Sequence, residues 1–224
     1  MIRRTRRTSR AMPNQAPSDP AELRAAPRSS LMLRTAKVVC QSGEYPCLVR
    51  DVSAGGVGLR FFHDVPPETR IFLQLANGAV YPIERAWVRD YEAGYRAANE
   101  IDVDEFIAEP SPHNHRAIRF RLERPVLVTI DGRDCRARLL DVSRTGAKLR
   151  ADREWPQGAF VRVEFIGFPV RYGHVLWRKG VEHGIVFQDT MSLADLARHL
   201  LAVQPYPDDP PEAQGTKGWA VRAA

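Results

Sequence analysis

Residues 51–60 read DVSAGGVGLR, and ninety positions later the chain repeats itself as DVSRTGAKLR at 141–150. An acid, a hydroxyl and three glycines are crowded onto what otherwise reads as the join between two β-strands. The repetition makes that crowding a property of a unit rather than of one loop. The same register pairs Trp87 of ERAWVRD with Trp177 of HVLWRKG, and Gly94 of YEAGYRA with Gly184 of VEHGIVF. Four markers at one offset indicate a duplication, so the 224 residues divide into two small domains.

Each copy reads as β-structure. In the second half, PVLVTI (125–130) and RDCRARLLDVS (133–143) flank Asp131-Gly132, a pair suited to the positive φ angles of a type I′ hairpin. GAKLRA, AFVRVEFI, FPVRYGHVLWRK and EHGIVFQ follow between turn signals, with period-2 alternation that sets Val175 and Trp177 against His174 and Leu176. The first half offers LRTAKVV, YPCLVRDVS, GVGLRFF, TRIFLQL, AVYPIERAWVRD and AGYRAAN in the same order, with Pro82 requiring an edge or a bulge. Six short strands per half predict an all-β dominated fold of two six-stranded barrels, each followed by a short C-terminal helix. The strand pattern assigns Trp87 and Trp177 to core packing. The clearer helix is capped by Ser192, with Asp195 three residues on, and its stripe of Leu193, Leu196, Ala197, Leu200 and Leu201 suits it to plug a barrel mouth. Its counterpart in the first half, IDVDEFIAEP, is shorter. The expected organisation is a disordered basic tail at 1–21, barrels at 22–108 and 113–203 joined by a linker at 109–112, and a disordered tail at 204–224.

Charge argues against a nucleic-acid partner. The net charge is +6, but Arg3, Arg4, Arg6, Arg7 and Arg10 supply five of those charges, leaving +1 on the remainder. A domain that tracks a phosphate backbone carries its own basic face. No apolar run approaches the ~20 residues of a membrane span, and residues 1–20 lack the apolar core of a signal peptide. The expected location is therefore cytoplasmic, with no transmembrane segment. Cys40, Cys47 and Cys135 are odd in number and lack CxxC spacing, which reads as free buried thiols. Ser53 and Ser143 lie outside any GxSxG elbow, and GGVG lacks the Lys-Ser/Thr of a phosphate loop. His113 and His115 of HNH find no further ligands. No nucleophile, base and orienter can be assembled, so the sequence predicts neither an enzyme nor a metal or cofactor site.

A basic cluster precedes each repeat of the opening motif. RAAPR places Arg24 and Arg28 ahead of Asp51, and HRAIR places His115, Arg116 and Arg119 ahead of Asp141; Arg28 to Asp51 is 23 residues and Arg119 to Asp141 is 22. In order, spacing and duplication, the sequence resembles the PilZ domain, whose signature is RxxxR followed about twenty residues later by [DN]xSxxG. The resemblance covers residues 22–108 and 113–203. It implies six-stranded barrels with a helix near the C-terminal end, and it implies cyclic di-GMP as the ligand. Carried over, the ligand-binding residues are Arg24, Arg28, Asp51, Ser53 and Gly56 in the first copy. In the second they are Arg116, Arg119, Asp141, Ser143 and Gly146, with His115 standing where the first copy has Arg24.

The ligand's chemistry suits those residue types. Guanine O6 and N7 accept from the fork of an arginine, and the two phosphodiesters add negative charge for the same side chains. Asp51 can accept from guanine N1–H and N2–H, Ser53 can donate to phosphate, and Gly56 would allow a close backbone approach. Taken alone, Asp-Val-Ser before Gly more commonly reads as an Asx or Ser turn closing a strand connection. The expected function is a cyclic di-GMP receptor or adaptor that orders its RxxxR segment, repositions its two barrels and acts on a downstream protein. The alternative is a protein interaction module of the same fold with a vestigial ligand site.

Overall fold

The computed structural model describes residues 33–111 and 117–207. The first unit contains β1 (Arg34–Val39), β2 (Glu44–Ser53), β3 (Gly56–Arg60), β4 (Arg70–Gln74), β5 (Val80–Arg89) and β6 (Glu92–Ala97), then α1 (Val103–Ala108). The second contains β7 (Phe120–Ile130), β8 (Arg133–Val142), β9 (Gly146–Ala151), β10 (Phe160–Phe165), β11 (Arg171–Lys179) and β12 (Glu182–Phe187), then α2 (Leu193–Val203). Each unit is a closed antiparallel barrel with one strand order, β1-β2-β3-β6-β5-β4 and its equivalent. The expected fold class is therefore the observed one. The residues Arg24, Arg28, His115 and Arg116, the HNH stretch and the tails at 1–21 and 208–224 lie outside the described residues.

Local chemistry accounts for the turns and caps. Asp131 and Gly132 both take positive φ (50° and 74°), the left-handed pair that joins β7 to β8. Ser192 Oγ accepts the Asp195 N–H at 3.0 Å, and Asp102 Oδ1 accepts the Glu105 N–H at 2.9 Å, so both helices carry side-chain caps. Phe106 of α1 enters the first core beside Tyr45, Leu73 and Ile83, and Leu196 and Leu200 of α2 enter the second beside Phe120 and Leu149. Full burial of one such side chain contributes about 1.5–3 kcal/mol. Pro82 lies opposite Phe72, just before β5 begins to pair with β6 at Ile83, so no ladder bond to β6 is forfeited. The three cysteines are free, and Cys47 faces Ala36 rather than Cys40. No helix among the described residues is long and apolar enough to cross a membrane.

The two tryptophans are not in the core. Each barrel has a bulge just before the motif aspartate, between Val49 and Asp51 or Leu139 and Asp141. Each has another just before the tryptophan, between Arg85 and Trp87 or Val175 and Trp177. An extra residue in one strand reverses the inside–outside alternation beyond it. Tyr45, Cys47 and Val49 point inward on β2, and after the bulge it is Val52 that is buried while Asp51 turns outward. By the same shift Trp87 and Trp177 leave the inner face and stand 44% and 36% exposed.

The barrels meet along β1 and β2 of the first and the start of β7 and end of α2 of the second. Lys37 and Glu44, only 7% and 8% exposed, form an ion pair with Nζ 2.6 Å from Oε2. Lys37 Nζ also donates to the Arg119 carbonyl at 2.9 Å, and Glu44 Oε2 accepts the Arg121 N–H at 2.9 Å. Residues 204–207, assigned by the sequence to a disordered tail, continue from α2 onto the first barrel. Tyr45 O–H donates to the Gln204 carbonyl at 2.5 Å, and the Tyr206 ring packs edge-on against Tyr45 with centroids 4.9 Å apart. Leu201 packs against the first core and Val203 against the second.

Candidate functional site

The repeated motif closes the turn between β2 and β3, and between β8 and β9. Ser53 Oγ donates to the Gly56 carbonyl at 3.3 Å, and Ser143 Oγ donates to the Gly146 carbonyl at 3.2 Å. The Ser143 N–H reaches the same oxygen at 2.8 Å, and the residue is fully buried (0% exposed), whereas Ser53 is half-buried. The glycine has a packing reason beside the ligand approach expected of it. A Cβ on Gly56 would lie 2.1 Å from the Tyr95 carbonyl oxygen, and one on Gly146 would lie 2.2 Å from that of Ile185. The missing side chain lets β6 and β12 approach, so the demand comes from the neighbouring strand.

Asp51 starts a row that runs across the outer face of the first barrel. Register places Asp51 opposite Gly58, Gly58 opposite Gly94, and Gly94 opposite Trp87. The two end residues fold toward each other over the glycines. A Cβ on Gly58 would lie 2.4 Å from Asp51 Oδ2, and one on Gly94 would lie 2.1 Å from Trp87 Nε1. The second barrel has the row Asp141, Lys148, Gly184 and Trp177, with lysine in place of Gly58. Lys148 Nζ is bound to Glu182 Oε2 at 2.6 Å, and Arg150 binds the other carboxylate oxygen at 2.7 Å. Arg150 and Lys148 together hold the Glu182 carboxyl at about 2, well below the usual carboxylate range.

In the second barrel the basic cluster and the motif meet. Arg119 Nη1 lies 2.6 Å from Asp141 Oδ1, a charge-assisted bond across 22 residues of chain. The Arg119 carbonyl is the one held by Lys37. Next to this point a cleft of about 360 Å³ opens between the barrels, lined by Arg34, Thr35 and Glu109 on one side and Ile118, Arg144 and Thr145 on the other. Both its arginines already have partners. Arg34 donates to the Phe106 and Ile107 carbonyls at the end of α1, and Arg144 Nε donates to the Met191 carbonyl at 2.8 Å. No cluster of three or more His, Cys, Asp or Glu side chains among the described residues is placed to hold a metal ion.

Residues 22–105 and 113–202 both match the model of the PilZ domain. The chain belongs to the PilZ family. Each barrel is thus one PilZ domain, and the two matches frame the Arg-rich segments and motifs described above. Among curated proteins no relative matches the chain. Solved structures to which the chain shows similarity include PlzA of Borreliella burgdorferi in complex with c-di-GMP, at 13% identity, covering 80% of this chain and 94% of that one with a TM-score of 0.33. YcgR of Escherichia coli, also in complex with c-di-GMP, has 12% identity, coverages of 76% and 82%, and a TM-score of 0.31. The motility inhibitor MotI/DgrA of Bacillus subtilis has 7% identity, coverages of 77% and 93%, and a TM-score of 0.31.

Sequence reasoning selected Asp51, Ser53 and Gly56 and their counterparts, but it passed over Gly58, Lys37 and Glu44. Gly58 was legible as one of the two motif glycines, with Gly55, that the second copy replaces, by Lys148 and Thr145. Lys37 and Glu44 carry no local signal, because their partners lie in the other PilZ domain.

Proposed function

We propose that the protein is a cyclic di-GMP receptor that relays messenger level by ordering its RxxxR segments and resetting the contact between its two PilZ domains. The observation that carries this reading is Arg119. Its side chain is bonded to the motif carboxylate Asp141 while its carbonyl is held by the Lys37–Glu44 pair of the other domain. A dianionic, guanine-bearing ligand competes for Arg119 and Asp141, and thereby acts on the residue that joins the domains. Only a difference in affinity between the two arrangements can drive such a shift. The reading assigns the chain no catalysis, and its output is a changed surface offered to a downstream protein.

The site residues in this reading are Arg24, Arg28, Asp51, Ser53 and Gly56 in the first domain and Arg116, Arg119, Asp141, Ser143 and Gly146 in the second. Ser143 and Gly146 would act there by shaping the turn, since both are buried. The second domain also favours the alternative reading of a vestigial site, because Lys148 fills the position of Gly58.

Titration calorimetry of the full chain with cyclic di-GMP, GTP and a short RNA tests the assignment. Saturable binding of cyclic di-GMP alone is expected. Salt-sensitive, sequence-blind RNA binding in its place would refute it. Asp51→Ala should weaken messenger binding by about 1.5–3 kcal/mol, the range of a hydrogen bond to a charged group, without lowering the melting temperature. Unchanged affinity would reduce Asp51 to a turn residue. Arg28→Ala should weaken binding more than Arg119→Ala, and His115→Arg should strengthen the second site, because neutral histidine cannot present the two-pronged donor face of an arginine. Equal losses from the two arginine variants would contradict that ranking.

A further inference from the structure

We propose that the outer face of β10 and β11 in the second domain is the contact surface for a second copy of this chain, the two copies meeting about a two-fold axis through the middle of β10. No messenger residue takes part in this contact, which is independent of whether the chain binds cyclic di-GMP.

Both barrels are closed, so neither offers a strand edge, and a partner must pack against a face. The duplication shows which face is unusual. Register aligns Arg70, Glu84 and Arg96 across β4, β5 and β6 on the outside of the first domain, with Arg70 Nε 3.4 Å from Glu84 Oε2. The same row in the second domain is Phe160, His174 and Val186. Beside it Tyr172 and Leu176 stand where the first domain has Pro82 and Ala86. Phe160 and Tyr172 stack nearly parallel (10°) with centroids 6.0 Å apart, and both are about half exposed, as is Leu176. With Val186 these side chains leave on the order of 400 Å² of apolar surface in water, a size at which exposed patches are often functional.

The order of side chains along β10 identifies the occupant. Val161, Val163 and Phe165 are buried in the core, so Phe160, Arg162 and Glu164 point outward, and Ile166 follows in the turn, 80% exposed. In one direction this row reads apolar, basic, acidic, apolar, and in the other apolar, acidic, basic, apolar. Two sheets packed face to face keep their strands within about 30° of alignment. A second β10 laid antiparallel across the first therefore sets Phe160 against Ile166 and Arg162 against Glu164, twice over, which is the self-complementarity of a two-fold contact. Arg162 bonds Glu164 and the Tyr172 hydroxyl within one copy, and its five N–H donors suffice for the second carboxylate as well. The two charges of the row cancel, so a copy meets no net repulsion there. The equivalent row of the first domain, Arg70, Phe72 and Gln74, has no such symmetry. Two copies would cover on the order of 800 Å² of apolar surface, below the ~1,200 Å² of a stable complex, so the dimer forms reversibly at about 10–100 µM.

Sedimentation equilibrium of the full chain from about 5 to 500 µM tests the contact. The weight-average mass is expected to rise from one chain toward two. Phe160→Ser should raise the dissociation constant about tenfold or more with an unchanged melting temperature. Arg162→Glu and Glu164→Arg should each weaken self-association about tenfold, because like charges then face one another across the axis. Mixing those two single variants is the sharper measurement. One carries two acids on the row and the other two bases, so an equimolar mixture should form mixed dimers at least as tightly as the parent. The double variant Arg162→Glu/Glu164→Arg keeps the symmetry of the row and should dimerise like the parent. A parent that stays monomeric at about 500 µM would overturn the proposal and leave the face to a different protein. Dimers indifferent to Phe160→Ser, or single variants that fail to pair on mixing, would overturn it by placing the contact elsewhere.

Discussion

Lys37→Met is expected to destabilise the first domain by about 3–5 kcal/mol, the usual consequence of stripping one partner from a buried ion pair. The Glu44 carboxylate would remain buried with the Arg121 N–H as its only other short-range hydrogen-bond donor among the described residues. The loss should come from the abandoned charge rather than from a missing attraction. Lys37→Met combined with Glu44→Leu should therefore recover most of the stability, since well-packed apolar pairs often replace buried ion pairs at little cost. Urea unfolding of the parent, the single variant and the double variant separates these terms. A loss below about 1 kcal/mol in the single variant would place the pair among ordinary surface bridges. Both variants also free the Arg119 carbonyl, so scattering should report a looser arrangement of the domains even where the double variant is stable.

Gly56→Ala is the second large effect. The added methyl would sit 2.1 Å from the Tyr95 carbonyl oxygen, and a backbone oxygen cannot rotate away as a side chain can. Strands β3 and β6 must separate, which costs at least the 1–3 kcal/mol typical of overpacking, about 3 kcal/mol being expected here. Gly55→Ala is the matched control, because a Cβ there meets nothing within 4 Å. Its effect should stay within about 0.5 kcal/mol. Thermal melts of the two variants suffice, and equal melting temperatures would show that β6 yields without strain. Any loss of ligand affinity in Gly56→Ala must be judged against this structural effect.

Much of the architecture was readable in the chain because duplication checks itself. The ninety-residue offset aligned six strands, both turn motifs and both tryptophan–glycine pairs, and Asp131-Gly132 named its own turn. The direction of the tryptophans was not readable. Alternation runs unbroken through Val175 and Trp177 in the letters, and a bulge is one residue with no composition of its own, so the register change appears only in the pairing. The packing reason for Gly56 was hidden for a related cause. A glycine in a motif invites a ligand, but the neighbouring strand makes its own demand here, and strand neighbours are not adjacent in sequence. Docking of Gln204 and Tyr206 was hidden by PYPDDPPEAQG, whose prolines read as a tail although its first residues sit on the other domain.

That last contact imposes an order on biosynthesis. The surface of the first domain around Tyr45 and His63 is covered by Leu201, Gln204 and Tyr206, which the ribosome adds about a hundred residues after α1 is complete. At roughly 5–20 residues per second, the first domain emerges about 5–20 s before its cover. During that interval Tyr45 and His63 face water or whatever binds nascent chains.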